Sequence, residues 1–212
     1  MKKITFLLVA LFSFSAFSQT VWINEIDADQ TGTDTEEFIE IATSTPNQSL
    51  NGFIVVLFNG SSDLSYNAFD LSGFTTDGDG FFILGSDAIP GAEISLGPDN
   101  GLQNGADAVV IYQDNVANFP NGTPATSTNL VDALVYGTSD PEDTDLLLAL
   151  NQTVQYDENL NGNKDTESLQ RISGTNTFCV TLPTLRAANN CPSCTLVISS
   201  ITYSCDSETA GT

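Results

Sequence analysis

Residues 23–41 read INEIDADQTGTDTEEFIEI and place an apolar, alternating segment on each side of an acidic loop. Alternation of apolar and polar side chains is typical of a β-strand with one buried face. Residues 21–27 and 37–42 are therefore predicted strands, and the connection between them is rich in carboxylates. This stretch predicts a β-sheet protein with long acidic loops.

Similar short runs recur along the chain and are separated by turn residues. Asn-Gly or Asp-Gly dipeptides begin at eight positions, and such dipeptides suit the positive φ angles of tight turns. The predicted strands are residues 21–27, 37–42, 53–58, 67–71, 81–84, 108–112, 130–136, 169–172 and 177–181. We predict an all-β, antiparallel sandwich, in which residues 53–58, apolar on both faces, form a central strand. Residues 145–150 are the one helix candidate, with Thr144 or Asp145 as its cap.

The N-terminus has the pattern of a bacterial signal peptide. Lys2 and Lys3 precede an apolar run that ends in Ala16-Phe17-Ser18, and this run is too short for a membrane span. We expect residues 1–18 to be removed on export, so that the protein is secreted or held at the bacterial cell surface. Residues 19–190 are then predicted to form one domain, and residues 191–212 a cysteine-containing tail that begins a further module or adds a strand to the first.

Charge and composition exclude several classes of function. The chain has 27 acidic residues, five basic residues and no histidine, which gives a formal net charge of −22. Such a field repels nucleic acids and anionic membranes. Without histidine, Ser-His-Asp and Cys-His catalysis and imidazole metal sites are excluded. A glycosidase that uses two carboxylates remains open, but no pair stands out.

Five segments carry a resemblance to a known family. They are residues 23–41, the apolar strand after Asn51-Gly52 (53–58), NGADAVVIYQDN (104–115), LVDALVYGTSDPEDTDLLLALN (130–151) and ESLQRISGTNTFCVTLPTLRAANN (167–190). In this order they resemble the lamin tail domain of secreted bacterial proteins. The resemblance implies an immunoglobulin-like β-sandwich without enzymatic activity, often joined to extracellular nucleases, phosphoesterases or adhesion modules. The usual Pro-Thr-Pro-Gly ending differs here, where Leu185 and Arg186 follow Pro183-Thr184.

Two acidic loops have the composition of calcium sites, because Ca²⁺ takes six to eight oxygen ligands from flexible loops. The first carries Asp27, Asp29, Asp34 and Glu36. The second has the spacing D-x-N-x-N-G-x-x-D and carries Asp157, Asn159, Asn161, Asp165 and Glu167. A bound Ca²⁺ would have a structural role. The alternative is that these side chains cap their own backbone in Asx-turns, and Lys164 within the second loop favours this alternative.

Arg171 lies in an apolar alternation and is predicted to form a structural ion pair. Glu25 and Glu40 lie on predicted strands and are its expected partners, because a half-buried guanidinium requires a carboxylate.

The four cysteines fall at the C-terminal end, where an exported protein is expected to form disulfides. We favour Cys179 with Cys191 and Cys194 with Cys205 over the other connectivities, over a redox pair at Cys191 and Cys194, and over a Cys₄ zinc site.

Three functions remain open. The leading prediction is a noncatalytic interaction module at the N-terminus of a secreted multidomain protein with an unknown protein or glycan partner. The second is a Ca²⁺-dependent carbohydrate-binding or adhesion domain that stacks sugars on exposed aromatic rings. Its candidate rings are Trp22, Tyr66, Phe81, Phe82 and Tyr112, most of which are expected to fill the core. The third is the carboxylate glycosidase.

Overall fold

The computed structural model describes residues 20–191, which form eleven strands, one α-helix and a short 3₁₀ helix (Val116–Asn118). The elements in chain order are β1 (Val21–Asp27), β2 (Phe38–Thr43), β3 (Phe53–Asn59), β4 (Leu64–Asp70), β5 (Phe81–Ser86), β6 (Ile94–Gly97), β7 (Asp107–Gln113), β8 (Leu130–Gly137), α1 (Thr144–Ala149), β9 (Gln155–Asp157), β10 (Ser168–Arg171) and β11 (Phe178–Thr181). Within this range no helix is both long and apolar enough to cross a membrane.

The strands form two sheets that pack face to face. The six-stranded sheet has the order β11-β10-β1-β2-β5-β6, and the five-stranded sheet has the order β4-β3-β7-β8-β9. The predicted all-β sandwich is confirmed. β1 lies in the middle of its sheet, between β2 and β10, so the first and nearly the last described strands are neighbours.

Side chains from both sheets fill the main core. Ile23 and Ile41 of the six-stranded sheet join Val55, Leu57 and Ile111 of the five-stranded sheet in one fully buried cluster. This packing follows from the alternation of the sequence, because successive side chains of a strand point to opposite faces.

The five-stranded sheet is also covered on its outer face. Ile54 and Val56 of β3 pack there with Leu146 and Leu150 from the region of α1. Residues 53–58 are therefore apolar on both faces because both faces are buried, as predicted. The helix starts one residue earlier than predicted, because the Asp143 side chain accepts hydrogen bonds from the backbone N–H groups of residues 145 and 146.

Two edges of the sandwich differ from the antiparallel prediction. β6 pairs with β5, and β9 pairs with β8, and both pairs are parallel. The chain from β8 to β9 passes through α1, and such a crossover is what a parallel pair requires. The sequence prediction missed both edge strands.

The predicted bridge between Cys179 and Cys191 is confirmed, with an S–S distance of 2.05 Å. It connects β11 to the segment that follows the last strand. Cys194 and Cys205, the predicted signal peptide and the predicted tail after residue 191 lie outside the described residues and stay predictions.

Candidate functional site

The two acidic loops meet at one end of the sandwich. Lys164 of the second loop forms an ion pair with Asp29 of the first. Glu158, directly after β9, accepts a hydrogen bond at 3.1 Å from the backbone N–H of Ala28. Each loop therefore holds the other in place.

The second loop uses its side chains largely on the protein's own polar groups. Asp157 Oδ1 accepts from the backbone N–H groups of Asn159 and Ser139, at 2.9 Å each. Asn161 accepts from the backbone N–H of residue 163 at 3.1 Å, and its amide donates to Glu167. The hydrogen bond from Lys164 to Asp29 raises the pKa of the Lys164 ammonium group, and the nearby charge of Asp165 adds to this effect. The bonds of Asp157 to the N–H of Asn159 and of Asn161 to the N–H of residue 163 are Asx-turns, as in the alternative of the sequence analysis, and the other bonds join the loop to more distant residues.

The first loop is organised around Gln30. Its backbone N–H donates to Asp34 at 2.9 Å, and its side-chain amide donates to Asp27 at 2.5 Å. Glu36 is exposed and Asp34 is buried. The nine predicted metal ligands are spread over both loops, and within residues 20–191 no three acidic or cysteine side chains are arranged to hold a metal ion.

Several carboxyl groups at this end are buried and have raised pKa values. Burial, with repulsion from Glu25, Glu36 and Glu37 as a smaller cause, raises the pKa of Asp27 to about 8. Burial also raises the pKa of Glu158 to about 9, and the charge of Asp27 adds to the effect.

The buried ion pair of Arg171 has a different partner from the two predicted. Arg171 Nη2 lies 2.5 Å from Asp132 Oδ2, and both side chains are at most 9% exposed. The predicted pairing with Glu25 or Glu40 is therefore wrong. Asp132 belongs to β8 in the opposite sheet, so the pair crosses the core.

Glu25 and Glu40 instead hold the closing segment after β11. Glu25 accepts hydrogen bonds from Ser168 and from the backbone N–H and hydroxyl groups of Thr184. Glu40 accepts from the backbone N–H of Arg186 and from the Asn24 amide.

Glu25 and Glu40 face each other as cross-strand partners and are fully buried. Burial raises the pKa of both groups, that of Glu40 to about 7.

Arg186 connects the segment after β11 to two distant loops. Its guanidinium binds Asp77 and Glu93, at 2.7 Å each, and the carbonyl oxygen of Gly91 at 2.6 Å. The side chain therefore ties the closing segment to the loops on both sides of β5. Sequence analysis assigned no role to Arg186, because its partners are distant in the chain.

A groove of about 590 Å³ opens on the outer face of the six-stranded sheet. Trp22 and Phe81 line it and are half-buried. Ala42 lies between them, because it is the cross-strand partner of Trp22 on β1 and of Phe81 on β5. Cross-strand partners point to the same face, so the two rings flank a small residue and leave a trough.

Polar groups surround this aromatic pair. Asn24, Asp79, Asn176 and Asn189 line the groove. Asn189 is fixed in place, because its amide donates to the backbone carbonyl oxygens of Asn24 and Arg171, at 3.0 and 2.9 Å. The groove therefore combines two aromatic walls with a rim of amides and the carboxylate of Asp79.

The other three candidate aromatic residues do not line the groove. Phe82 and Tyr112 are fully buried, and Tyr66 packs against the main core while its hydroxyl accepts a hydrogen bond from the backbone of residue 103. Phe81 and Phe82 are neighbours on β5, and neighbouring side chains of a strand face opposite sides of the sheet. Phe81 therefore faces the groove and Phe82 faces the core.

A second groove, also of about 590 Å³, lies beside the start of α1. Asp107, Asp140, Glu142 and Asp143 line it. Asp107 is occupied by backbone donors, because its two oxygens accept from the N–H groups of Gly60 and Gly105, at 2.9 and 3.1 Å. Burial raises its pKa, in part offset by these bonds.

Comparisons with known proteins found no relative of this chain. No protein-family model, no curated protein and no solved structure matches the chain.

Proposed function

We propose that this chain is a noncatalytic, extracellular interaction module of a secreted multidomain protein, similar in role to a lamin tail domain, and that it binds its partner in the groove of Trp22 and Phe81. A nuclease or phosphoesterase domain elsewhere in the same protein would supply the chemistry. The observation that carries the proposal is the aromatic pair itself. Two large, half-buried rings on either side of Ala42 are available for a ligand, whereas most large apolar side chains among residues 20–191 are in the core.

The buried carboxylates support a noncatalytic role. A general acid or base must lie within hydrogen-bond reach of the substrate. Glu37 instead accepts hydrogen bonds from the backbone N–H groups of Gly101 and Leu102, at 2.6 and 3.1 Å. Glu25 and Asp107 are likewise occupied by donors of the protein. These groups hold loops in place.

A second candidate function, carbohydrate binding, is favoured by the spacing of the rings. Adjacent strands of a sheet lie about 4.8 Å apart, so side chains on β1 and β5, two strands apart, stand roughly 10 Å from each other. A trough of this width between aromatic rings suits the flat, apolar side of sugar rings, and amides on the rim suit their hydroxyl groups. The formal net charge of −22 favours neutral over anionic glycans.

The test is a binding and turnover screen of the full chain against neutral polysaccharides, with phosphodiester substrates added for the turnover arm. We expect no turnover. We also expect binding to at least one polysaccharide, with affinity at least about tenfold lower for Trp22→Ala and Phe81→Ala. Leu148→Ala, which removes an 80% exposed apolar side chain away from the groove, is the matched control and should bind normally.

Each arm of the screen can refute a different statement. Turnover by the purified chain would refute the noncatalytic role. Binding that survives both aromatic substitutions would refute the groove as the site. Binding to proteins but to no glycan, lost in the same two variants, would refute carbohydrate binding and leave the interaction module in place.

A further inference from the structure

One buried carboxylate oxygen lacks a partner where the acidic loops meet. The Glu158 side chain is fully buried. Its Oε1 accepts the hydrogen bond from Ala28, but Oε2 has no hydrogen-bond partner within the described part of the chain. A buried carboxylate oxygen is costly unless a donor or a cation compensates it.

A second unpartnered oxygen belongs to Asn104. The side-chain amide of Asn104 donates to Asp34 Oδ2 at 2.8 Å. Because a carboxylate can only accept, this bond fixes which end of the amide carries the nitrogen. The opposite atom, Oδ1, is buried and has no hydrogen-bond partner among residues 20–191.

The backbones of Glu158 and Asn104 both bind the same short segment, residues 137 and 138. The backbone N–H of Glu158 donates to the carbonyl oxygen of Gly137 at 2.8 Å. The hydroxyl of Thr138, the next residue, donates to the backbone carbonyl oxygen of Asn104 at 2.5 Å. The end of β8 therefore gathers the two residues at the same end of the sandwich.

The local charge favours a cation. Residues 27–37 and 157–167 together contain nine carboxylates and one basic residue. That basic residue, Lys164, is engaged by Asp29. Asp27 is also buried, and it interacts electrostatically with Glu158. Lys164 also attracts Glu158, but its ammonium group donates its hydrogen bond to Asp29, and burial still raises the pKa of both Asp27 and Glu158. A cation between these two buried carboxylates would stabilise their ionised forms in this low-dielectric region.

We propose that one divalent cation binds between the two loops, with the carboxylates of Glu158 and Asp27 as ligands and Asn104 Oδ1 as a third oxygen donor. Carboxylate and amide oxygens on loops are the donors of Ca²⁺, which also accepts backbone carbonyl oxygens and water to complete its shell. The site differs from the two loop sites predicted from sequence, because it lies between the loops and depends on Glu158. The inference does not depend on the proposed ligand groove.

The test uses the full chain, freed of metal with a chelator, and titrates Ca²⁺ by calorimetry near neutral pH. We expect one ion per chain and, at about 100-fold excess over Kd, a rise in the unfolding temperature of about 5–10 °C. Glu158→Gln keeps the shape of the side chain and removes its charge, so affinity should fall at least about tenfold. Asp27→Asn serves as the second variant if Glu158→Gln does not fold.

The control is Glu167→Gln, which removes an equal charge from a half-buried position of the second loop and should leave the affinity nearly unchanged. Loss of binding in Glu167→Gln but not in Glu158→Gln would assign the ion to the loop motif and overturn the proposal. A wild-type chain that shows no response to Ca²⁺ would overturn it as well. In that case, a Glu158→Gln variant more stable than the wild type would indicate that Glu158 carries a proton instead of binding a cation.

Discussion

Arg171 of the six-stranded sheet donates to Asp132 of the five-stranded sheet at 2.5 Å, and both side chains also bind the backbone of Ile23. The Ile23 N–H donates to Asp132 and the Ile23 carbonyl oxygen accepts from Arg171 Nε, at 2.7 Å each. The register of β1 against β2 shifts just after Ile23. The ion pair therefore provides hydrogen-bond partners for the backbone of β1 where its pairing is irregular, and it joins the two sheets across the core.

We expect Arg171→Leu to lower the free energy of unfolding by about 3 kcal/mol, because it leaves the Asp132 charge buried without its cation. Urea denaturation measures the change. A double-mutant cycle with Asp132→Leu should show a coupling of about 1 kcal/mol or more. The same cycle with Glu40→Gln is the control, and a larger coupling there would restore the partner predicted from sequence.

We expect loss of the Cys179–Cys191 bridge to lower the free energy of unfolding by about 3 kcal/mol, because a disulfide restricts the unfolded chain. The bridged residues are separated by 12 positions. The Cys179→Ser/Cys191→Ser double variant, unfolded in urea beside the oxidised wild type, gives this difference. Equal midpoints would show that the packing of β11 and the closing segment does not need the bridge.

Stability should fall as the pH rises from about 4.5 to about 7. Burial raises the pKa of Glu40 from 4.5 to about 7 in the folded protein, so the folded state binds the proton more tightly than the unfolded state. The cost of ionising the buried group is absent below pH 4.5 and complete above pH 7, and it reaches at most about 3 kcal/mol. Glu25 and Glu37 shift in the same direction.

The measurement for this effect is the urea midpoint at pH 5 and pH 8. Glu40→Gln cannot titrate, so the difference between the two midpoints should be smaller in that variant than in the wild type. An unchanged difference would show that Glu40 is ionised in the fold over the whole range.

We expect Gly60→Ala to destabilise the fold by about 2 kcal/mol or more, as overpacked sites do. A Cβ at Gly60 would collide with the backbone carbonyl oxygen of Ala106 and with the Asp143 carboxylate that caps α1. Gly78→Ala is the matched control, because nothing lies within 4 Å of its Cβ position. Thermal unfolding compares the two, and equal losses would mean that the glycines matter for their flexibility alone.

The strands that sequence analysis found lie in clear apolar or alternating runs, such as residues 21–27 and 130–136. β6 and β9, of four and three residues, were missed because they stand in no such run, whereas β10 and β11, each also four residues long, were found within runs that extend beyond them. Both are edge strands whose existence depends on a neighbour already in place.

The partner of Arg171 left a signal in the sequence that the prediction did not use. Asp132 has the same parity along β8 as Leu134 and Tyr136, which belong to the core between the sheets. A carboxylate at such a position requires a buried cation. The groove of Trp22 and Phe81 left no comparable signal, because it depends on the register of three strands.

The central place of β1 has a consequence for how the protein is made. Its neighbour β10 lies more than a hundred residues downstream, with Glu25 opposite Gln170. Residue 25 is synthesised long before residue 170. β1 therefore lacks one of its two neighbouring strands until nearly all of the domain has been synthesised. Chains cut before β10 should therefore remain unfolded, and maturation should occur as one late, cooperative event.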